Sequence, residues 1–270
     1  MTKNPTIIFS IGAWITPPTF DAIRARLSER GIPSETPAHP SIGAEPPNKT
    51  LADDVASLRS VLQKLVEVEG KDVVVVGHSY GGVVASCAVE GLAKADREAA
   101  GQEGGVSRIA YLAAFALDKG QSLLGMLGGQ YLPWMEVNGD FVHCNAGPQA
   151  AFHDLALEEQ QKWSSKLEHT SRAVFLGAST YEPWHCIPST YIFCEEDQAL
   201  PLQFQEMMAA KLGPDLTYRL KSSHSPFLSM PDQLADVLED LVGKSQSFGY
   251  DSESGATGRA PSEGSSTQDE

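Results

Sequence analysis

The sequence predicts an α/β fold built on a doubly wound, mostly parallel sheet. Segments with the short apolar pattern of strands alternate with segments that have the apolar spacing of helices, and this alternation is typical of right-handed βαβ units. The run "DVVVVG" at residues 72–77 is continuously β-branched, as expected for a central parallel strand covered on both faces. The chain has 270 residues, of which 41% are hydrophobic, enough for one such domain.

The first half of the chain follows this alternation. "TIIFSI" at residues 6–11 is predicted as a buried strand, and a helix follows in "TFDAIRARLSERG", which Gly31 ends. A Pro-rich connection leads to the amphipathic helix "LADDVASLRSVLQKLVEVEG" and then to the central strand. A helix of small residues is expected from about Tyr80.

The second half supplies the remaining core elements. These are the predicted strand "SRIAYLAAF", strand "STYIFC", helix "PLQFQEMMAAKLG", strand "LTYRLKS" and helix "MPDQLADVLEDLVG". Between the first two strands we predict no strong strand, but helical pieces such as "LEEQQKWSSKLEH" and many large apolar residues. An insertion that leaves the carboxyl end of a strand lies over the crevice where open α/β sheets bind ligands. We therefore expect a helical cap.

Three segments are predicted on this basis. Residues 1–117 and 187–244 form the α/β core, and residues 118–186 form the cap insertion. Residues 245–270 are rich in serine, glycine and acids. They have too few apolar residues to offset the entropy of ordering, so we expect a disordered acidic tail.

Charge and composition exclude several classes of partner. The chain has 20 Lys and Arg against 35 Asp and Glu, a net charge of -15, which argues against nucleic acid and anionic membranes as partners. No apolar run approaches the roughly 20 residues of a membrane span, and the amino terminus lacks a typical signal cleavage site. The expected location is the cytoplasm. The four cysteines have no metal-site spacing, which favours free, buried thiols.

Ser79 is the candidate nucleophile. It is the centre of "GHSYG", a G-x-S-x-G pattern that follows a buried strand and precedes a helix. That setting is typical of a nucleophile elbow, in which a sharp turn strains the serine backbone. Gly77 and Gly81 would relieve clashes with the neighbouring strand and helix.

A serine hydroxyl needs a base within hydrogen-bond reach and a carboxylate that orients this base. In an elbow of this type the acid and then the histidine follow the serine along the chain. His224 follows the strand "LTYRLKS", and Asp197 follows the strand "STYIFC", where Glu195 and Glu196 are competing candidates. The other histidines lie elsewhere along the chain, in the Pro-rich connection, in the elbow or in the predicted cap.

Acyl transfer also needs backbone donors aimed at the developing oxyanion. One is expected to be the N–H of Tyr80, directly after the nucleophile. The other is expected from the turn "SIGAWITPPTF", where Gly12 permits close backbone approach and either Ala13 or Trp14 could present its N–H. We expect the Trp14 side chain to contact substrate.

The motifs "IGAW", "GHSYGG", "EEDQALP" and "SHSPFLSMP" resemble those of the α/β-hydrolase superfamily. More narrowly, they resemble the small capped hydrolases grouped with plant methylesterases and hydroxynitrile lyases, and their fungal relatives. The resemblance spans residues 5–243. It implies an α/β-hydrolase fold, a Ser79–Asp197–His224 triad, an oxyanion hole from Ala13 and Tyr80, and no metal or organic cofactor.

Hydroxynitrile lyases typically carry a lysine just after the catalytic histidine, whereas Ser225 and Pro226 follow His224 here. Without that cation, hydrolysis is favoured over lyase chemistry. The expected function is therefore that of a serine esterase, which cleaves a small or medium-sized apolar carboxylic ester or lactone through an acyl-enzyme on Ser79. Two alternatives stay open. One is a natural-product tailoring enzyme that performs lyase-like C–C or C–O cleavage or cyclisation, and the other is a ligand-binding receptor on the same fold.

Overall fold

The computed structural model describes residues 4–247. The strands within them are β1 (Thr6–Ser10), β2 (Ser34–Glu35), β3 (Asp72–His78), β4 (Gly105–Leu112), β5 (Met135–Asn138), β6 (Phe141–Cys144), β7 (Thr170–Ser171), β8 (Ser189–Cys194) and β9 (Leu216–Leu220). Six of them form a sheet in the order β2-β1-β3-β4-β8-β9, and every neighbouring pair is parallel. The other three form a small antiparallel sheet in the order β5-β6-β7. The predicted fold class is confirmed.

Helices occupy most of the connections between the strands. They are α1 (Asp21–Glu29), α2 (Leu51–Gln63), α3 (Gly81–Ala88), α4 (Lys94–Ala99), α5 (Leu123–Met126), α6 (Gly147–Phe152), α7 (Leu157–Ser164), α8 (Ala173–Leu176), α9 (Leu202–Leu212), α10 (Pro226–Ser229) and α11 (Pro231–Ser247). Two short 3₁₀ helices span Pro17–Phe20 and Pro183–His185, and a π-helical turn, Lys64–Val68, continues α2. The short helices α4 and α10 lie in connections for which the sequence predicted none.

The four consecutive valines of β3 explain why this strand lies at the centre. Val73 and Val75 belong to the apolar cluster that contains residues of α2, α3 and α9. Val74 and Val76 belong to the cluster on the opposite face, with residues of α1 and α11. All four side chains are fully buried, and burial of each contributes about 1.5–3 kcal/mol. The strand therefore needs apolar residues at every position.

The segment between β4 and β8, residues 118–186, is called the insertion below. It contains helical pieces, α5 to α8, and, where the sequence predicted no strong strand, it also contains the short strands β5 to β7. The strands β5 and β6 form a hairpin whose two-residue turn begins at Gly139, with φ of 61°, as a type II′ turn requires. The strands are too short to give a strong apolar pattern, whereas the Gly139–Asp140 pair was the available hairpin signal.

The last helix continues to Ser247, three residues into the predicted tail. The buried Arg108 side chain donates a hydrogen bond of 3.2 Å to the Ser245 hydroxyl in the last turns of this helix. The rest of the predicted tail lies outside the described residues. Among the helices of residues 4–247, none combines the length and apolar composition that crossing a bilayer requires.

Candidate active site

Ser79 occupies a strained turn between β3 and α3. Its φ is 53°, a left-handed conformation that costs a non-glycine residue about 1–2 kcal/mol. A Cβ atom on Gly77 would lie 2.7 Å from the Gly82 Cα atom, and one on Gly81 would lie 2.1 Å from the Ser10 carbonyl oxygen. Both glycines are thus required by the close approach of neighbouring backbone, and they let α3 begin directly behind the serine.

His224 and Asp197 meet at the carboxyl edge of the sheet, where they follow β9 and β8. His224 Nδ1 lies 2.6 Å from Asp197 Oδ2, and the Asp197 side chain is fully buried. Glu195 instead lies 3.3 Å from Arg219 at the surface, and Glu196 is exposed. Of the three acids that the sequence offered, the structure brings Asp197 to the histidine.

The Asp197 carboxylate is held on both oxygens. Oδ1 accepts hydrogen bonds of 2.8 Å from the backbone N–H groups of Ala199 and Leu200. Oδ2 accepts from His224 and, at 3.3 Å, from the side-chain amide of Gln205. Because every donor but the imidazole belongs to fixed local structure, the carboxylate can orient His224 without moving. Gln205, in α9, belongs to none of the sequence motifs, so its contact with Asp197 was not predicted.

Ser79 and His224 both line one cavity. No hydrogen bond joins the Ser79 hydroxyl to His224 anywhere in the described structure. Such bonds are often long or poorly aligned without substrate and tighten when it binds. The two residues therefore share one cavity, and the absence of this bond without substrate does not separate them functionally.

Two backbone N–H groups beside Ser79 are available as donors. Within residues 4–247, neither the Ala13 N–H nor the Tyr80 N–H has a hydrogen-bond acceptor. The Trp14 N–H, the alternative to Ala13, donates a hydrogen bond of 2.9 Å to Thr170 Oγ1. The pair that could receive an oxyanion is thus Ala13 and Tyr80.

The Tyr80 side chain is anchored to Asp54 of α2. Its hydroxyl donates a hydrogen bond of 2.8 Å to Asp54 Oδ2, and this fully buried carboxylate also accepts from Ser41 N at 2.9 Å and Ser41 Oγ at 2.6 Å. Burial and, secondarily, the neighbouring Asp54 charge raise the pKa of Tyr80 well above 10. The phenol therefore remains a donor and fixes the residue that follows Ser79.

His78, which directly precedes Ser79, contacts the loop after β9 that carries His224. Its Nε2 lies 2.9 Å from the His224 carbonyl oxygen, so this nitrogen must carry the proton and donate. Burial lowers the pKa of His78 well below 6.5, and the nearby His224 lowers it further. His78 is thus a neutral donor that ties the His224 backbone to the elbow, a contact that no sequence motif predicts.

Residues of the insertion hold the loops that carry Asp197 and His224. His153 Nε2 donates a hydrogen bond of 2.7 Å to the Glu196 carbonyl oxygen, next to Asp197. Asp154 Oδ2 accepts one of 2.9 Å from the Ser223 N–H, next to His224. These contacts join residues far apart in the chain, which explains why motif reasoning missed them.

Most residues that line the cavity are apolar, and its polar residues include His78, Ser79, His224 and Ser225. It leaves about 720 Å³ unfilled by protein atoms, its open mouth included. No lysine, arginine, aspartate or glutamate is among its lining residues, all of which belong to the described chain. Trp14 lines it, with its ring stacked 5.7 Å from Phe175 and edge-on to Trp134 at 5.4 Å; contact of this side chain with substrate stays a prediction.

The cysteines and acids form no metal centre in the part of the chain that is described, where no group of three or more His, Cys, Asp and Glu could hold an ion. All four cysteines are free. Cys87 and Cys194 are buried as expected, whereas Cys186 is exposed, contrary to the expectation of buried thiols.

Comparison with known proteins gives a consistent assignment of the fold. A family model described as "Alpha/beta hydrolase family" matches residues 9–237. The chain is 30% identical to alpha/beta hydrolase nvfD of Aspergillus novofumigatus over 89% of its own length and 98% of the relative's. It is also 30% identical to a carbendazim-hydrolyzing esterase of Nocardioides, with 85% and 96% of the two chains covered. The crystal structure of the Arabidopsis methylesterase MES16 superposes with a TM-score of 0.69 at 20% identity, covering 89% of this chain and 99% of that one.

Proposed function

The chain belongs to the alpha/beta hydrolase family, and we propose that it is a serine carboxylesterase. Its substrate is a small or medium-sized, uncharged apolar carboxylic ester or lactone, cleaved through an acyl-enzyme on Ser79. One observation carries the proposal. Ser79, the Asp197-paired His224 and the unpartnered N–H groups of Ala13 and Tyr80 belong to one apolar cavity.

The proton positions suit this reaction. Since Asp197 accepts from Nδ1 of His224, Nε2 of the neutral imidazole carries the lone pair and serves as the base. The Ser79 oxygen forms a bond to the substrate carbonyl carbon while its proton passes to Nε2. The carbonyl π electrons move to the oxygen, which accepts hydrogen bonds from Ala13 and Tyr80.

The tetrahedral intermediate then collapses and expels the alcohol, which takes the proton from His224. A water molecule gives its proton to the same nitrogen as it attacks the acyl carbon, and breakdown of the second intermediate releases the acid and restores Ser79. His224 thus alternates between base and acid, and the fixed Asp197 carboxylate stabilises its charged form in both halves of the reaction.

The cavity wall supports an uncharged substrate. A carboxylate or ammonium group held against it would lose its hydration without gaining a partner of opposite charge, at a cost of several kcal/mol. The relative that is named an esterase supports ester cleavage, and the lack of lysine or arginine in the described lining favours hydrolysis over a lyase reaction with an anionic leaving group.

Steady-state hydrolysis of p-nitrophenyl esters of increasing acyl length tests the proposal. We expect turnover by the wild type and a decrease of about 10⁴–10⁶-fold in Ser79→Ala. Ser229→Ala is the matched control, because the Ser229 hydroxyl is buried without a hydrogen-bond partner among residues 4–247 and Ser229 lies outside the cavity lining. A neutral butyryl ester should react much faster than one with a terminal carboxylate of similar length.

Other outcomes would contradict the proposal. Equal rates for Ser79→Ala and wild type would remove Ser79 from the nucleophile role. If no ester reacts while an apolar ligand raises the melting temperature, a ligand-binding receptor would replace the esterase. Preference for the charged ester would reject the proposed substrate class.

A further inference from the structure

We propose that Thr170, in the insertion, is a positioning residue for the turn after β1 that contains Ala13 and Trp14. It holds this turn in the conformation that leaves the Ala13 N–H free to receive an oxyanion. The inference rests on the proposed function, since it assigns Thr170 an effect on oxyanion stabilisation. Trp14 follows Ala13 and has a φ of 66°, a strained conformation for a residue with a side chain. Strain of this kind persists only where surrounding contacts impose it.

The insertion satisfies every polar group of Trp14. The backbone N–H donates to Thr170 Oγ1 at 2.9 Å, and the carbonyl oxygen accepts from the Glu168 N–H at 2.9 Å. The indole Nε1 donates to the Val142 carbonyl oxygen at 2.9 Å. The core sheet contributes none of these bonds, so the conformation of Trp14 depends on how the insertion is docked.

Thr170 is itself rigidly placed. It is fully buried, and its backbone lies between Val142 of β6 and Ile42 of the Pro-rich connection, with which it forms a strand pair and an isolated bridge. Its hydroxyl can therefore hold the Trp14 N–H in one place.

The hydrogen bond from the Trp14 N–H to Thr170 determines which backbone N–H of the turn remains free. With the Trp14 N–H occupied, the preceding N–H of Ala13 is left without an acceptor in the described chain. If the bond were lost, the Trp14 backbone could relax toward negative φ, which rotates the peptide group between Ala13 and Trp14 and displaces the turn. Thr170 thus couples docking of the insertion to oxyanion stabilisation.

The test compares Thr170→Val, which keeps the shape and removes the hydroxyl, with Thr170→Ser, which keeps the hydroxyl. For Thr170→Val we expect kcat to fall about 10- to 100-fold with little change in KM, below the 10²–10³-fold effect of deleting an oxyanion donor. Thr170→Ser should restore most of the activity. Ser171→Ala, which removes the adjacent buried hydroxyl and its 3.3 Å bond to the Ser41 carbonyl, should keep wild-type kcat.

A second readout separates positioning from packing. The Ser79 oxygen adds to the carbonyl carbon of a trifluoromethyl ketone, and the serine proton passes to His224. The former carbonyl oxygen becomes an oxyanion that accepts from the N–H groups of Ala13 and Tyr80. In Thr170→Val the Ki of the ketone should rise by the same factor as kcat falls, whereas the Ki of the corresponding secondary alcohol, which forms no oxyanion, should not change. Equal changes in both Ki values, or an unchanged kcat, would overturn the inference.

A wild-type measurement keeps the inference testable if Thr170→Val does not fold. Amide hydrogen exchange followed by NMR should show strong protection of the Trp14 N–H and weak protection of the Ala13 N–H. Exchange of the two amides at similar rates would refute the proposed bond. Lack of ester turnover by the wild type would instead refute the proposed function, so the two failures are distinguishable.

Discussion

Replacing Asp197 by asparagine should abolish most activity while leaving the fold nearly intact. The Oδ1 position receives two backbone N–H groups at 2.8 Å, so the asparagine oxygen will take that position. Its NH₂ group then faces His224 Nδ1, which lies 2.6 Å from Oδ2 in the wild type. To accept from it, the imidazole must move its proton to Nε2, and this tautomer cannot deprotonate Ser79.

The reverse orientation does not rescue the variant. It would place the NH₂ group against the N–H groups of Ala199 and Leu200 and forfeit two hydrogen bonds, each worth about 0.5–1.5 kcal/mol. Loss of kcat by about 10³–10⁴-fold is therefore expected, from the effect of a wrong tautomer in other triads. At about 1.36 kcal/mol per factor of ten, this corresponds to about 4–5.5 kcal/mol of transition-state stabilisation.

Initial rates of p-nitrophenyl ester hydrolysis, combined with thermal unfolding, measure both effects. Glu196→Gln makes the same chemical change one residue away on an exposed side chain and should retain wild-type kcat. Asp197→Ala should unfold at a lower temperature than Asp197→Asn, because it removes the acceptor of four hydrogen bonds, yet it should be no more active. The reasoning is refuted if Asp197→Asn keeps kcat within about tenfold of wild type, or if Glu196→Gln is the variant that fails.

Three further perturbations test other contacts of the structure. Gly81→Ala would force a Cβ atom to 2.1 Å from the Ser10 carbonyl oxygen; a cost of about 3 kcal/mol or more predicts a melting temperature at least about 6 °C lower, and an unchanged melting temperature would refute the predicted clash. Tyr80→Phe removes a donor from the buried Asp54 carboxylate and should cost about 1.5–3 kcal/mol in urea unfolding; an unchanged free energy would contradict this. Burial lowers the pKa of His39 below 6.5, so below about pH 6.5 the unfolded chain binds more protons than the folded one. His39 therefore reduces the free energy of unfolding as the pH falls, by up to about 1.4 kcal/mol at about pH 5.5. His39→Gln should lose that part of the pH dependence of unfolding, and identical pH profiles for the variant and the wild type would contradict this role of His39.

The parts of this structure that the sequence could predict depend on local signals. The strand, turn and helix around Ser79 were predictable from about ten residues. Four consecutive valines indicate the buried strand, and the glycines on either side of the serine motif indicate the tight turn into the helix. The loops after β8 and β9 were identifiable because parallel strands deliver their carboxyl ends to one edge of the sheet. Asp197, rather than Glu195 or Glu196, could be decided only by the side-chain contact itself.

The supporting contacts were beyond sequence reasoning because they join distant segments. Trp14 and Thr170 are 156 residues apart, and Tyr80 and Asp54 are 26 apart. Neither Thr170 nor Asp54 belongs to a motif, and both are defined as partners only once the insertion and α2 are packed on the core. The hairpin at Gly139 was a different failure, since its turn signal was present and the short, weakly apolar strands obscured it.

The central claim is that Ser79 is the nucleophile, and covalent labelling tests it most directly. Wild type and Ser79→Ala are exposed to an activated alkyl phosphonate, followed by intact-protein mass spectrometry and peptide mapping. The proposed mechanism predicts one phosphonyl group per wild-type chain, located on Ser79, and none on the variant. An adduct on another residue, or equal labelling of the variant, would contradict it.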